Sequence, residues 1–142
     1  MAQKSPEATA EAALKKAPGF DGHNDVPWAL RGRAANMIND FDFVDTTDTA
    51  KPDAAPPVIA MHTDLRRLRK GHVGAQFWSV YVPANSNEQQ AVQQTLEQID
   101  VTKRLVARYP NDLALAANSA ELEKAMKAGK IAGMMGMEGG QS

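Results

Sequence analysis

The sequence predicts an α/β protein built on a parallel sheet. Residues 73–82 form a near-continuous run of apolar, β-branched and aromatic residues ending at Pro83, as expected of a strand buried on both faces. A helical apolar pattern follows and closes at Pro110, and a second apolar strand covers residues 131–137. Strands that alternate with helices in this way indicate a parallel sheet.

Taken in order, residues 1–18 are rich in Ala, Lys and Glu and read as a lead-in, helical or flexible. Residues 19–25 read as a strand, because Gly22 and Pro27 argue against helix. Residues 31–57 mix Asn and Asp with Pro52, Pro56 and Pro57 and read as a long surface excursion, with a short helix near residues 33–38. Residues 63–70 suit a short helix capped by Thr63 or Asp64 and stopped by Gly71. After the strand at 73–82, Asn85 or Ser86 opens a long helix whose core stripe is Val92, Leu96, Ile99, Leu105 or Val106, and Tyr109. Residues 113–117 form a short strand. Asn118 with Glu121 resembles a capping box for a helix at 120–127, with Gly129 as its stop. The strand at 131–137 then ends beside Glu138. Residues 19–142 thus read as one domain, with no internal repeat.

Composition removes several functions. The chain has 142 residues, with Lys plus Arg 16 and Asp plus Glu 17, a formal net charge of -1. Such a balance disfavours a nucleic-acid partner, which selects a basic excess. The basic cluster Arg66-Arg67-Leu68-Arg69-Lys70 reads as a solvated helix face or helix end. With no cysteine, thiol nucleophiles, disulfides and Cys-based zinc sites are excluded. No apolar stretch reaches the length of a membrane span, and residues 1–18 contain no apolar signal core.

Three residues stand out as metal donors: His23, Asp25 and Glu138. In a strand, positions i and i+2 share a side, so His23 and Asp25 reach one point while Asn24 turns away. Imidazole and carboxylate suit zinc. Glu138 lies among glycines at another strand's C-terminal end, where parallel sheets collect their chemistry. Each signal taken singly is explained as well by a hydrogen-bonded strand end or a loop carboxylate; the coincidence of three favours a site. His62 and His72 read as surface or structural residues. Ser79 lacks the glycines of a nucleophile elbow, and Met126, Met134, Met135 and Met137 read as core filler.

Three motifs in order, Asp21-Gly22-His23-Asn24-Asp25-Val26-Pro27-Trp28, Gly74-Ala75-Gln76-Phe77-Trp78-Ser79-Val80-Tyr81 and Gly136-Met137-Glu138-Gly139-Gly140, resemble the membrane (renal) dipeptidase family. So do Thr95-Leu96-Glu97-Gln98-Ile99-Asp100 and Tyr109-Pro110. The resemblance runs from about Phe20 onward. It implies a (β/α)₈ TIM-like barrel related to the amidohydrolases, of which this chain would be an incomplete N-terminal part. It also implies two zinc ions per complete site and hydrolysis of dipeptides, with β-lactam opening in some members. By position, His23 and Asp25 match ligands of one zinc, and Glu138 matches the carboxylate that bridges both. An exported, periplasmic or membrane-associated setting and a homodimer of the full-length protein are further implications.

Two departures accompany the resemblance. Gln141 stands where the family often has histidine, a position that is not a ligand. The two histidine ligands of the second zinc fall beyond Ser142, and a barrel represented only by its first strands would expose an unpaired edge and an apolar face, so these residues alone are expected to be inactive and poorly stable. A different amidohydrolase-like metal hydrolase is disfavoured by the match at Phe77-Trp78-Ser79-Val80-Tyr81. A non-catalytic α/β binding domain with a vestigial site is the alternative of another class.

Overall fold

The structure, a computed structural model, describes residues 5–141. Its elements are α1 (Pro6–Lys16), β1 (Gly19–Asn24), α2 (Val26–Ala34), α3 (Leu65–Lys70), β2 (Val73–Tyr81), α4 (Glu88–Arg108), β3 (Leu113–Leu115), α5 (Ser119–Lys127) and β4 (Ile131–Glu138). Side-chain caps set the helix starts. Ser5, Asp64, Asn87 and Asn118 each accept a hydrogen bond from a backbone N–H of the first turn of α1, α3, α4 and α5 respectively.

The strands form one parallel sheet in the order β1-β2-β4-β3. β2 and β4 run in unbroken register from Ala75 opposite Ala132 to Tyr81 opposite Glu138. β3 pairs only with the first residues of β4, Ile131 to Gly133. Because the strands are parallel, their C-terminal ends lie along one rim.

Alternation along β2 separates two environments. Trp78 is fully buried in the main core with Leu30, Phe43, Leu65, Val101, Leu105 and Ile131, which places α2, α3 and α4 on its face. Ala75 points to the opposite face, where α5 seals the N-terminal half of the sheet through Ala125 and Met126 against Ala132 and Met134. The C-terminal half of that second face is open. Phe20 and Phe77 meet there with ring centroids 6.0 Å apart. They line a depression of about 630 Å³ together with Leu115, Leu122 and Met134.

Several expectations are corrected. The strand expected at residues 19–25 is β1, and Pro27 falls just after it in the first turn of α2, which begins at Val26 and stands in place of the short helix expected near residues 33–38. Proline in a first turn loses no hydrogen bond, because its missing N–H has no intrahelical partner there. Left-handed Ala35 and Asn36 end the helix. On α4, Val92 and Leu96 are 50% and 61% exposed, not core. The buried stripe is Ala91, Thr95, Gln98, Val101, Thr102, Leu105 and Val106. Val101 and Leu105 fix the phase of this helix, and at its N-terminal half that phase turns small or amide side chains toward the sheet. Met137 is exposed at the open end of β4, whereas Met126, Met134 and Met135 pack against the cores. The basic cluster does more than face solvent. Arg67 joins Asp64, Thr46 and the Met61 carbonyl, and Arg69 joins Asp112 and the Gly129 carbonyl. The lead-in is helical over α1, with no residue buried.

Candidate metal centre

Three of the four strands deliver the site to the common rim. His23 is the penultimate residue of β1, Ser79 lies near the end of β2, and Glu138 is the last residue of β4. Asp25 follows β1 directly, at the N-cap of α2. The His23 Nε2 is 3.1 Å from Asp25 Oδ1 and 3.6 Å from Glu138 Oε2. One ligand atom from each of the three residues lies within 4.8 Å of the others. The side chains are exposed by 55%, 64% and 46% for His23, Asp25 and Glu138, so an ion from solvent reaches them.

Local sequence explains why Asp25 is free to serve. It occupies an N-cap position, yet its side chain makes no capping bond. Asn24 does that work: its Oδ1 accepts from the Val26 N–H at 3.2 Å. The Asn24 amide in turn donates to Asp21 Oδ2 and to Thr63 Oγ1, both at 3.1 Å. Asp21 Oδ1 accepts from the His23 N–H at 3.2 Å. Asn24 is therefore turned away from the donors, as strand alternation predicts, and it ties the end of β1 to the residues before α3. Asp25 itself has left the extended region (φ -87, ψ 18), and it still reaches His23.

Glu138 is held by a residue that the sequence reading passed over. Ser79 Oγ donates to Glu138 Oε2 at 2.7 Å. The signal was present in a different form: a small hydroxyl residue near the C-terminal end of an otherwise apolar buried strand requires a polar partner. Gln141 folds back so that its Nε2 donates to the Val82 carbonyl at 2.9 Å, which pins the turn after Glu138 to the end of β2. Gly139 makes that turn with φ +86. Gln141 is thus a turn anchor and is not among the three donors.

The other histidines separate. His72 pairs with Glu11 of α1, Nε2 to Oε1 at 2.9 Å, a structural contact. His62 is exposed and lines a cleft of about 320 Å³ beside the site, with His23, Asp25, Arg33 and Met61.

The donor set fits zinc. Zinc bonds of ~2.0–2.2 Å place tetrahedral ligands roughly 3.3–3.6 Å apart, close to the separations seen between His23 and the two carboxylates. Among the described residues no lysine or arginine forms an ion pair with Asp25 or Glu138; the nearest basic side chain is the imidazole of His23. Two carboxylates without a cationic side chain leave negative charge that a metal ion would balance.

Comparison with known proteins gives the family and the fold. Residues 7–142 match the family described as membrane dipeptidase (peptidase family M19). Dipeptidase ataJ of Aspergillus terreus is 37% identical over 138 residues, covering 92% of this chain and 31% of its own length. Among solved structures, a metallopeptidase of Rhodobacter sphaeroides liganded with a phosphinate mimic of the dipeptide L-Ala-D-Ala superposes with TM-score 0.68 at 22% identity. That match covers 86% of this chain and 38% of the Rhodobacter chain. The probable dipeptidase PvdM of Pseudomonas aeruginosa gives TM-score 0.66 at 17% identity, covering 94% of this chain and 32% of its own. The chain therefore spans about a third of the length of these relatives. Its parallel α/β sheet is part of their TIM-barrel-like fold. With the ordered motifs, the converging donors and the family match in agreement, this chain belongs to the membrane dipeptidase family, peptidase family M19.

Proposed function

We propose that His23, Asp25 and Glu138 are zinc ligands of a metallo-dipeptidase that hydrolyses the peptide bond of dipeptides. The observation that carries this reading is the convergence of one imidazole and two carboxylates from β1 and β4 at the open rim of the sheet. When bound there, zinc lowers the pKa of a coordinated water toward ~7 and polarises a carbonyl oxygen. The chain's own residues orient and expose the donors. Asn24 and Asp21 hold the end of β1, Ser79 holds Glu138, and the adjacent cleft gives a small substrate access to the same rim.

A zinc ion takes four ligands as a rule, so three side chains cannot complete a two-zinc site. We accordingly place these donors in a larger site whose further ligands come from outside residues 1–142, and we place residues 19–142 in the barrel domain of the intact protein. A homodimer belongs to the same reading. Among the described residues no helix is long and apolar enough to cross a membrane.

The test is metal content and dipeptide hydrolysis of the intact protein, with His23→Ala beside it. Stoichiometric zinc and dipeptide turnover are expected in the wild type. In the variant both should be lost while the zinc-free protein keeps the wild-type fold, since the His23 side chain is exposed and its contacts to Asp25 and Glu138 lie at the surface. A wild-type protein without stoichiometric zinc would leave the vestigial binding-domain reading in its place.

A further inference from the structure

We propose that Ser79 is a positioning residue for the metal ligand Glu138, and that its hydroxyl sets the metal affinity of the site; this rests on the zinc-ligand reading above. Ser79 is 3% exposed and lies near the C-terminal end of β2, on the face it shares with Ala75 and Phe77, opposite Gly136 in the β2–β4 register. Its hydroxyl donates to Glu138 Oε2 at 2.7 Å, within the range of charge-assisted O–H···O⁻ bonds. That same oxygen is the one nearest His23 Nε2, at 3.6 Å.

The pairing is informative because the two side chains differ so much in freedom. Glu138 is 46% exposed, at the end of a strand and next to two glycines, and carries three rotatable bonds. Left alone it would sample solvent. Ser79 has one χ angle and sits in a packed strand, so its Oγ is a fixed point. A carboxylate oxygen has two lone pairs. One accepts the hydrogen bond from Ser79, which leaves the other available to an ion. The hydroxyl therefore selects the Glu138 rotamer that completes the donor triangle before any ion arrives. A buried hydroxyl that needed only an acceptor could bond to a backbone carbonyl of the sheet. This one bonds to a carboxylate that solvent would otherwise satisfy, so the contact serves Glu138 more than Ser79.

Outer-shell hydrogen bonds of this kind are worth roughly 10–100-fold in metal affinity. The experiment titrates intact wild-type, Ser79→Ala, Ser79→Thr and His23→Ala proteins in zinc–chelator buffers and reads bound zinc by mass spectrometry. The melting temperature of each zinc-free protein is recorded alongside. Ser79→Ala is expected to need about 10–100-fold more free zinc for half-saturation, with a zinc-free melting temperature like that of the wild type. Ser79→Thr keeps the hydroxyl and is expected to bind as the wild type does. Unchanged affinity in Ser79→Ala overturns the inference, as does an equal loss in Ser79→Thr, which would trace the effect to packing. If instead the wild type binds no stoichiometric zinc, or His23→Ala binds as well as the wild type, the zinc-ligand reading itself fails, and this inference falls with it.

Discussion

Asp64 carries an almost fully buried carboxylate one residue after Thr63, whose hydroxyl holds Asn24 behind the metal donors. It accepts from the Arg67 N–H at 2.7 Å, from the Thr46 N–H at 3.1 Å and from Arg67 Nε at 2.8 Å. Burial pushes its pKa up. The two backbone bonds and the Arg67 guanidinium outweigh this and hold it below the ordinary carboxylate value. A carboxyl whose folded pKa is depressed stabilises the fold fully above its unfolded value of ~3.9, and that stabilisation is lost as pH falls through the folded value. Asp64→Asn should therefore destabilise by about 2 kcal/mol at pH 7, with the gap to wild type closing below about pH 4. Urea denaturation at the two pH values measures it; a gap that stays constant would show that Asp64 acts through shape and not charge. At this scale the sequence was legible where chemistry is declared by residue type. His23, Asp25 and Glu138 could be named as a candidate set because three such donors coincide at strand ends, and the structure brings them together. The partners of Ser79 and Asn24 could not, because a buried hydroxyl or amide announces only that it needs one, and these come from a neighbouring strand or a distant loop.

β4 illustrates how a single position governs an element. Gly133 lies against the indole of Trp78: a Cβ built there would stand 2.5 Å from Trp78 Nε1, nearer than real side chains approach. Trp78 cannot retreat, because it is fully buried and packs edge-on to Phe43 at 6.2 Å. Gly133→Ala should cost about 1–3 kcal/mol, the usual penalty of overpacking a close-packed core. A lowered denaturation midpoint with altered tryptophan emission is the expected result, and an unchanged midpoint would mean that the sheet yields more readily than its register suggests. Element types were largely readable because each segment announces its period. β2 and β4 are continuous apolar runs, and Asn118 caps α5 as expected, although α4 is capped by Asn87 and not by Asn85 or Ser86. Two features escaped. The start of α2 was not foreseen, since Pro27 served only to end the preceding strand and proline alone does not tell a first turn from a helix interior. The buried face of α4 was misphased because Val92 and Leu96 are more apolar than Thr95 and Gln98, which the sheet in fact covers.

Across the whole molecule, the two faces of the sheet are unequally protected. One face is covered by α2, α3 and α4, and the other is sealed by α5 only over its N-terminal half. What remains is an apolar surface around Phe20, 56% exposed, with Phe77, Leu115 and Met134 about a depression of some 630 Å³. Among the described residues, β1 has no strand beyond it and the last residues of β4 pair on one side only. An open apolar face beside unpaired strand edges is a template for association. The relatives are about two to three times as long, so in them further chain has room to cover the corresponding face. A polypeptide of residues 1–142 prepared alone should therefore self-associate at micromolar concentration and bind a hydrophobic dye. Phe20→Lys should weaken both effects, because it places a charge at the centre of the exposed patch while leaving the buried cores intact. Sedimentation velocity over a concentration series is the measurement. A monodisperse monomer with no dye binding would show that α5 and the Phe20–Phe77 contact suffice to protect the sheet, and that this segment folds as an independent unit.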